Sequence, residues 1–263
     1  MPTLEGAVVV VTGGGTGVGQ GLAYEAVRRG AKVVVASPEE ASETLETIAG
    51  LGGEGAWFEA DVRDYESISR VPQLAIDRFG AVNVLVNNAV GAGSIGGLQD
   101  VDPSTVRTQF EINILGVFNS IHACFPALKA AADRGELAHV INVGSEHSLG
   151  VPPYVPAVST YTVSKYATRA FTDVARRDFA GTGVGVSLVA PGWVLTDAVR
   201  MLLDMDIPMS ESVRGRGQEL QLVAAEAFDG MVEGRHLTPT NPASREFAQA
   251  QAEELIHSFD RLP

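Results

Sequence analysis

Apolar positions along this chain follow two rhythms. Short, unbroken runs at residues 7–11, 32–36, 56–60, 82–86, 140–143 and 184–189 have strand length. A run without polar alternation marks a strand covered on both faces, as in a parallel sheet between helix layers. Between the runs lie stretches with helical spacing, at 22–29, 39–49, 65–79, 104–131 and 159–180. In the fourth of these, Val106, Phe110, Ile114, Val117 and Ile121 share one face. Strands alternating with helices predict an α/β fold, a doubly wound parallel sheet in three αβα layers, with ligands bound beyond the carboxyl ends of the strands. No linker or repeat interrupts the alternation, so residues 1–263 read as a single domain. The rhythm stops after Thr196. Residues 197–215, with Met201, Leu202, Leu203, Met205, Ile207, Pro208 and Met209, read as a substrate lid or as a packed subunit contact. Residues 243–259 read as a C-terminal helical tail.

Charge and composition narrow the function classes. Acidic residues outnumber basic ones by 32 to 19, a net charge of −13, which disfavours a nucleic-acid partner. Cys124 is the only cysteine and sits among apolar neighbours, so an inert thiol in a reducing compartment is expected. No unbroken apolar run approaches the ~18 residues of a bilayer span, and no basic residue precedes Arg28. The expectation is a cytoplasmic protein without a membrane partner. Glycine is the most informative count, and six of its 29 copies fall within residues 13–21.

That cluster, Thr12-Gly13-Gly14-Gly15-Thr16-Gly17-Val18-Gly19, stands between a predicted strand and a predicted helix. Glycines allow a tight turn and close backbone approach, and the helix start offers free N–H donors and a positive dipole end to a pyrophosphate. No Lys-Ser/Thr pair follows, which removes the P-loop alternative. The second constellation is Tyr161-Thr162-Val163-Ser164-Lys165, which on a helix puts Tyr161 and Lys165 one turn apart. An ammonium beside a phenol stabilises the phenolate, giving an acid/base suited to interconverting a hydroxyl and a carbonyl.

Taken in order, the motifs resemble those of the short-chain dehydrogenase/reductase family, in its single-domain, Rossmann-like branch. They are Thr12-Gly13-x-x-x-Gly17-x-Gly19, Asp61-Val62, Asn87-Asn88-Ala89, Asn113, Ser145, Tyr161-x-x-x-Lys165 and Pro191-Gly192-Trp193-Val194-x-Thr196. The resemblance implies a hydride-transferring oxidoreductase acting on a secondary alcohol or ketone. Tyr161 would be the acid/base, and Lys165 would lower its pKa and hold the nicotinamide ribose. Ser145 would hold the substrate oxygen, and Asn113 a water leading protons away from Lys165. Gly13, Thr16, Gly17, Val18 and Gly19 would meet the pyrophosphate, Ser37 the adenosine ribose, and Asp61 and Val62 the adenine. Asn88 and Ala89 would line the ribose side, while Pro191, Gly192, Val194 and Thr196 would wrap the nicotinamide. Pairing through the helices at 104–131 and 159–180 implies a homodimer or homotetramer. No metal is implied.

The chain departs from the family pattern in places. Val90 stands where a glycine usually follows Asn-Asn-Ala, and the frequent Asp-Gly-Gly close is missing. Ser145 precedes Tyr161 by 16 residues, a long interval, and Ser148 is nearer the usual spacing. Ser145 is preferred because it follows a strand end, the excess fitting an insertion at 150–160. For the cofactor, Ser37 lacks the carboxylate usual for NAD, yet Pro38 and Thr16 occupy the places of the cations usual for NADP. With Glu39 and Glu40 beside them, NAD is preferred over NADP. His147 is either a substrate contact or a solvated loop residue, and Trp193 a pocket wall that suits a hydrophobic substrate. A Ser–His hydrolase is disfavoured because Val143 replaces the first glycine of Gly-x-Ser-x-Gly. The alternative function from another class is a non-catalytic NAD(H)-binding redox sensor.

Overall fold

The computed structural model describes residues 4–91, 93–205 and 207–260. In chain order the elements are β1 (Val8–Thr12), α1 (Gly17–Arg28), β2 (Lys32–Ser37), α2 (Ser42–Gly50), β3 (Gly55–Glu59), α3 (Tyr65–Ser69), α4 (Val71–Phe79), β4 (Val84–Asn87), α5 (Pro103–Phe110), α6 (Gly116–Asp133), β5 (His139–Val143), α7 (Ser159–Asp178), β6 (Gly185–Ala190), α8 (Asp197–Leu203), α9 (Pro208–Val213), α10 (Leu220–Val232), β7 (Leu237–Pro239) and α11 (Ser244–Phe259). The strands form one seven-stranded sheet in the order β3-β2-β1-β4-β5-β6-β7, and every pairing is parallel.

The valine runs show why the sheet is sandwiched. On β1, Val9 and Val11 pack with Leu22 and Ala26 of α1 and Ala224 and Phe228 of α10. Val8 and Val10 face the other way, toward Val71 and Ala75 of α4 and Cys124 and Leu128 of α6. Successive side chains point to opposite faces, so a strand buried on both offers few positions to a polar residue, and those present, such as Asn87 and Asn142, are hydrogen-bonded. Each valine buried this way contributes roughly 2 kcal/mol.

Three features depart from the sequence reading. The chain past Thr196 does not lose its order: α10 packs on α1, and β7 pairs with β6 as the seventh strand. At three residues, β7 is too short to register as a run. The helix expected at 104–131 is α5 and α6 joined by a π turn over Glu111–Leu115, which carries Asn113. Finally, the composite helix Pro103–Asp133 is long and apolar enough, by length and composition, to cross a bilayer, which a search for unbroken runs overlooks. Here it belongs to a helix layer, with Val117, Cys124, Leu128 and Ala131 buried.

Candidate active site

Strand ends aim the chemistry at one edge of the sheet. β1 delivers the glycine loop, β2 delivers Ser37, β3 leads to Asp61, and β4 leads to Asn88. β5 leads to Ser145 and β6 to Pro191. Every residue expected to touch the dinucleotide except Gly19 lines one cleft of about 690 Å3, and Ser145 lines it too.

The glycine loop is built on close approach. Gly13 and Gly17 have φ of +63° and +58°, the left-handed region where a side chain would be strained. Gly19 serves packing: a Cβ there would stand 2.3 Å from the Gly13 carbonyl oxygen and 2.4 Å from Asn88 Nδ2. Thr16 precedes α1 without a side-chain capping bond, and no acidic side chain lies in the first turn. The free N–H groups and positive end of α1 therefore face the cleft, as a pyrophosphate requires. Thr12 Oγ1 accepts from the N–H groups of Asn88 and Ala89 at 3.0 and 3.2 Å, and Asn88 Nδ2 donates to the Thr12 and Gly13 carbonyls. Val90 is half exposed on the cleft wall, and Gly91 bonds Asn113 through its N–H at 2.7 Å and its carbonyl at 3.1 Å.

Across the cleft, α7 carries Tyr161 and Lys165 on one face. Lys165 Nζ lies 5.6 Å from the Tyr161 ring centroid and donates to the Val143 carbonyl at 2.9 Å. Burial pushes the Tyr161 phenol up to about 12, with a hydrogen bond from Ser145 offsetting part of the rise and the charge of Glu146 adding to it. Burial also draws Lys165 down to about 8. Burial thus dominates the phenol in this geometry, and the groups acting on it are Ser145 and Glu146, not Lys165 as the helical spacing implies.

Ser145 and Ser148 part company in space. Ser145 lines the cleft within hydrogen-bonding reach of Tyr161. Ser148 is fully buried; its hydroxyl donates to the Lys165 carbonyl at 2.8 Å and accepts from the Ser145 N–H at 3.2 Å. It braces the turn from behind. Asn113 also stands behind the cleft, donating to Ser164 Oγ at 3.0 Å and so joining the Gly91 loop to α7. His147 is no solvated loop residue: it is buried, with Nδ1 2.9 Å from Thr162 Oγ1 and its ring edge-on to Tyr161 at 5.3 Å.

Several lining residues carry no distinctive pattern in the sequence, among them Ala60, Ile112 and Val199, while Trp193 is the wall expected of it. Arg63 also lines the cleft and grips Asp61 through both nitrogens at 2.6–3.0 Å. Its place two residues after Asp61 was the available signal. Among the described residues, no three His, Cys, Asp or Glu side chains converge as a metal site.

A parallel sheet whose carboxyl edge holds a phosphate-binding helix start facing a Ser-Tyr-Lys cluster defines a hydride-transfer oxidoreductase. The chain belongs to the short chain dehydrogenase family, whose model matches residues 7–206. It is 31% identical over 233 residues to 3-dehydrosphinganine reductase TSC10B of Arabidopsis thaliana, covering 86% of this chain and 67% of that one. It is 32% identical over 229 residues to tetrahydroxynaphthalene reductase of Pyricularia oryzae, covering 86% and 77%. Among solved structures, a short chain dehydrogenase/reductase from Burkholderia phymatum in complex with NAD superimposes with a TM-score of 0.85 at 27% identity, covering 98% and 97%.

Proposed function

We propose that this chain is an NAD(H)-dependent ketoreductase, acting on a hydrophobic or cyclic ketone and running the reverse alcohol oxidation at higher pH. The observation that carries the reading is the convergence of Ser145, Tyr161 and Lys165 in the cleft that holds the glycine loop. Lys165, Pro191, Gly192, Val194 and Thr196 would hold a nicotinamide, which would supply or take up the hydride. Ser145 holds the carbonyl oxygen, and Tyr161 gives it a proton, the role that suits a phenol kept protonated by burial. Lys165 carries the charge that steadies the phenolate left behind. Trp193 and Val199 on the cleft wall, and the apolar side chains of α8 and α9, support a lid role for 197–215 and an apolar substrate.

The preference for NAD rests on charge. The Ser37 hydroxyl is committed, donating to the Glu39 carbonyl at 2.8 Å and accepting from Trp57 Nε1 at 3.2 Å. Glu39 and Glu40 line the cleft there, and the nearby cation, Arg63, is occupied by Asp61. A ribose 2′-phosphate would meet carboxylates without a free cation. Exposed Leu115, Phe118, Val163 and Val174 on the π turn, α6 and α7 support association of copies through those helices.

The test is a panel of cyclic and aryl ketones and their alcohols, with NADH and NADPH compared by absorbance. We expect turnover with NADH to exceed that with NADPH at least tenfold. Tyr161→Phe is expected to abolish turnover while leaving NADH binding, followed by fluorescence, within about twofold. A Tyr161→Phe enzyme that keeps most of its activity refutes the mechanism.

A further inference from the structure

One buried carboxylate stands beside the catalytic cluster without lining the cleft. Glu146 follows Ser145 directly and is 2% exposed. Its Oε2 accepts from the Tyr154 hydroxyl at 2.5 Å and from Asn241 Nδ2 at 2.6 Å, and its N–H donates to the Pro191 carbonyl at 2.7 Å. The guanidinium of Arg216 lies over the Tyr154 ring, 4.4 Å from its centroid. The Glu146 side chain thus ties the turn bearing Ser145 to the proline-rich insertion and to the loop after β7, and the loop between α9 and α10 joins them through the Tyr154 ring. Gln218 extends the junction, accepting from Thr240 Oγ1 at 2.8 Å and from the Gly192 N–H at 3.3 Å.

We propose that Glu146 is a positioning residue: its buried carboxylate, held by Tyr154 and Asn241, fixes the turn that carries Ser145 against the segments closing the substrate end of the cleft, and its charge acts on Tyr161. The inference rests on the roles given above to Ser145 and Tyr161. An unpaired buried carboxylate is costly, so the charge holds its donors in place as firmly as they hold it. The groups facing Tyr161 are Ser145, His147, Lys165 and Glu146. Of these, Glu146 alone supplies negative charge, which opposes phenolate formation and adds to the rise that burial gives the phenol. The groups facing Glu146 are Tyr154, Asn241 and, at longer range, Arg216. Burial raises its own affinity for a proton, which the two donors and Arg216 oppose.

Glu146→Gln keeps the size of the side chain and removes the charge. For the panel alcohol oxidised fastest with NAD, we expect the alkaline rise of kcat/KM to move to lower pH by roughly half a unit to one unit. Tyr154→Phe keeps the charge and removes one donor. There we expect kcat/KM for the matching ketone to fall roughly tenfold, with the pH profile unmoved and NADH binding within about twofold of wild type. Coincident profiles for Glu146→Gln and wild type, in an enzyme that Tyr161→Phe silences, overturn the role of Glu146 alone. Activity that survives Tyr161→Phe overturns the underlying mechanism instead. Should Glu146→Gln fail to fold, Tyr154→Phe decides: unchanged kcat/KM refutes the positioning role, and a tenfold loss with intact NADH binding supports it.

Discussion

The two walls of the cleft are made by different means. The glycine-loop wall is mostly main chain: Gly13 and Gly19 let backbone pass where a side chain would crowd it, Gly17 takes a left-handed φ, and Thr12 and Asn88 stitch two neighbouring strand ends together. Its partners are adjacent in the sheet, and sheet order alone brings them together. The substrate wall is mostly side chain. Glu146 finds Tyr154 eight residues away and Asn241 95 residues away, and both bonds are made through side chains in loops. The first wall suits a ligand whose shape never changes, because backbone geometry cannot be altered piecemeal. The second can be rebuilt one residue at a time on an unchanged frame, which is where a family of enzymes varies its substrates.

The contrast is broken most severely at Gly19. A methyl group there meets the Gly13 carbonyl oxygen at 2.3 Å, and backbone cannot yield as a flexible side chain can. We expect Gly19→Ala to lose detectable NADH binding by fluorescence and to lower Tm. Gly50→Ala, where an added Cβ meets nothing within 4 Å, is the matched control and is expected to leave both unchanged.

The substrate wall answers in graded fashion. Ser145→Ala removes a hydroxyl that faces the cleft and also accepts from the His147 N–H at 3.3 Å. Here kcat is expected to fall roughly tenfold to a hundredfold, with NADH binding held and a stability loss smaller than that of Ser148→Ala. Ser148→Ala removes a hydroxyl that faces away, leaving the Ser145 N–H and the Lys165 carbonyl without their partner. Its expected effect is the reverse in kind: a stability loss of about 1–3 kcal/mol in urea titration, with the smaller loss in kcat. Equal loss of kcat in the two variants would contradict the division between cleft-facing and bracing serines.

The same division explains what could be read from residue order. Apolar runs rich in valine expose the five inner strands because burial on both faces leaves few polar positions, and the run at 56–60 exposed the edge strand β3, so six of seven strands were legible. Tyr161 and Lys165 were legible because helical spacing alone puts them together. The choice between Ser145 and Ser148 followed from the strand end, since the sheet dictates where β5 stops. The Glu146 junction was not legible, because hydrogen bonds between loops leave no period. Nor was the burial of His147, which depends on the fit of its ring against Tyr161 and Thr162. The π turn at Asn113 likewise leaves the apolar spacing of its helix intact.

Two histidines bracket β5, one at the start of the strand and one after its end. His139 opens β5, with Nε2 2.9 Å from Ser187 Oγ, while His147 lies beyond the strand's other end beside Tyr161. Both are drawn from 6.5 down to about 4, His139 by burial and His147 by burial with the charge of Lys165 adding to it. A depressed histidine pKa means that the folded chain holds the neutral ring. Above pH 6.5 neither state binds the proton and the full stability is present. As pH falls from 6.5 to about 4 the unfolded chain takes up protons that the folded chain refuses, and stability is lost. Each ring accounts for a loss on the order of 3 kcal/mol across that window. Replacing either by glutamine should flatten the fall in urea-unfolding stability over that range. Only His147→Gln should also change turnover, because only that ring touches Tyr161. If His139→Gln changed kcat as much as His147→Gln, the contact with Tyr161 would lose its meaning, and the difference between the bracing and the working ends of β5 with it.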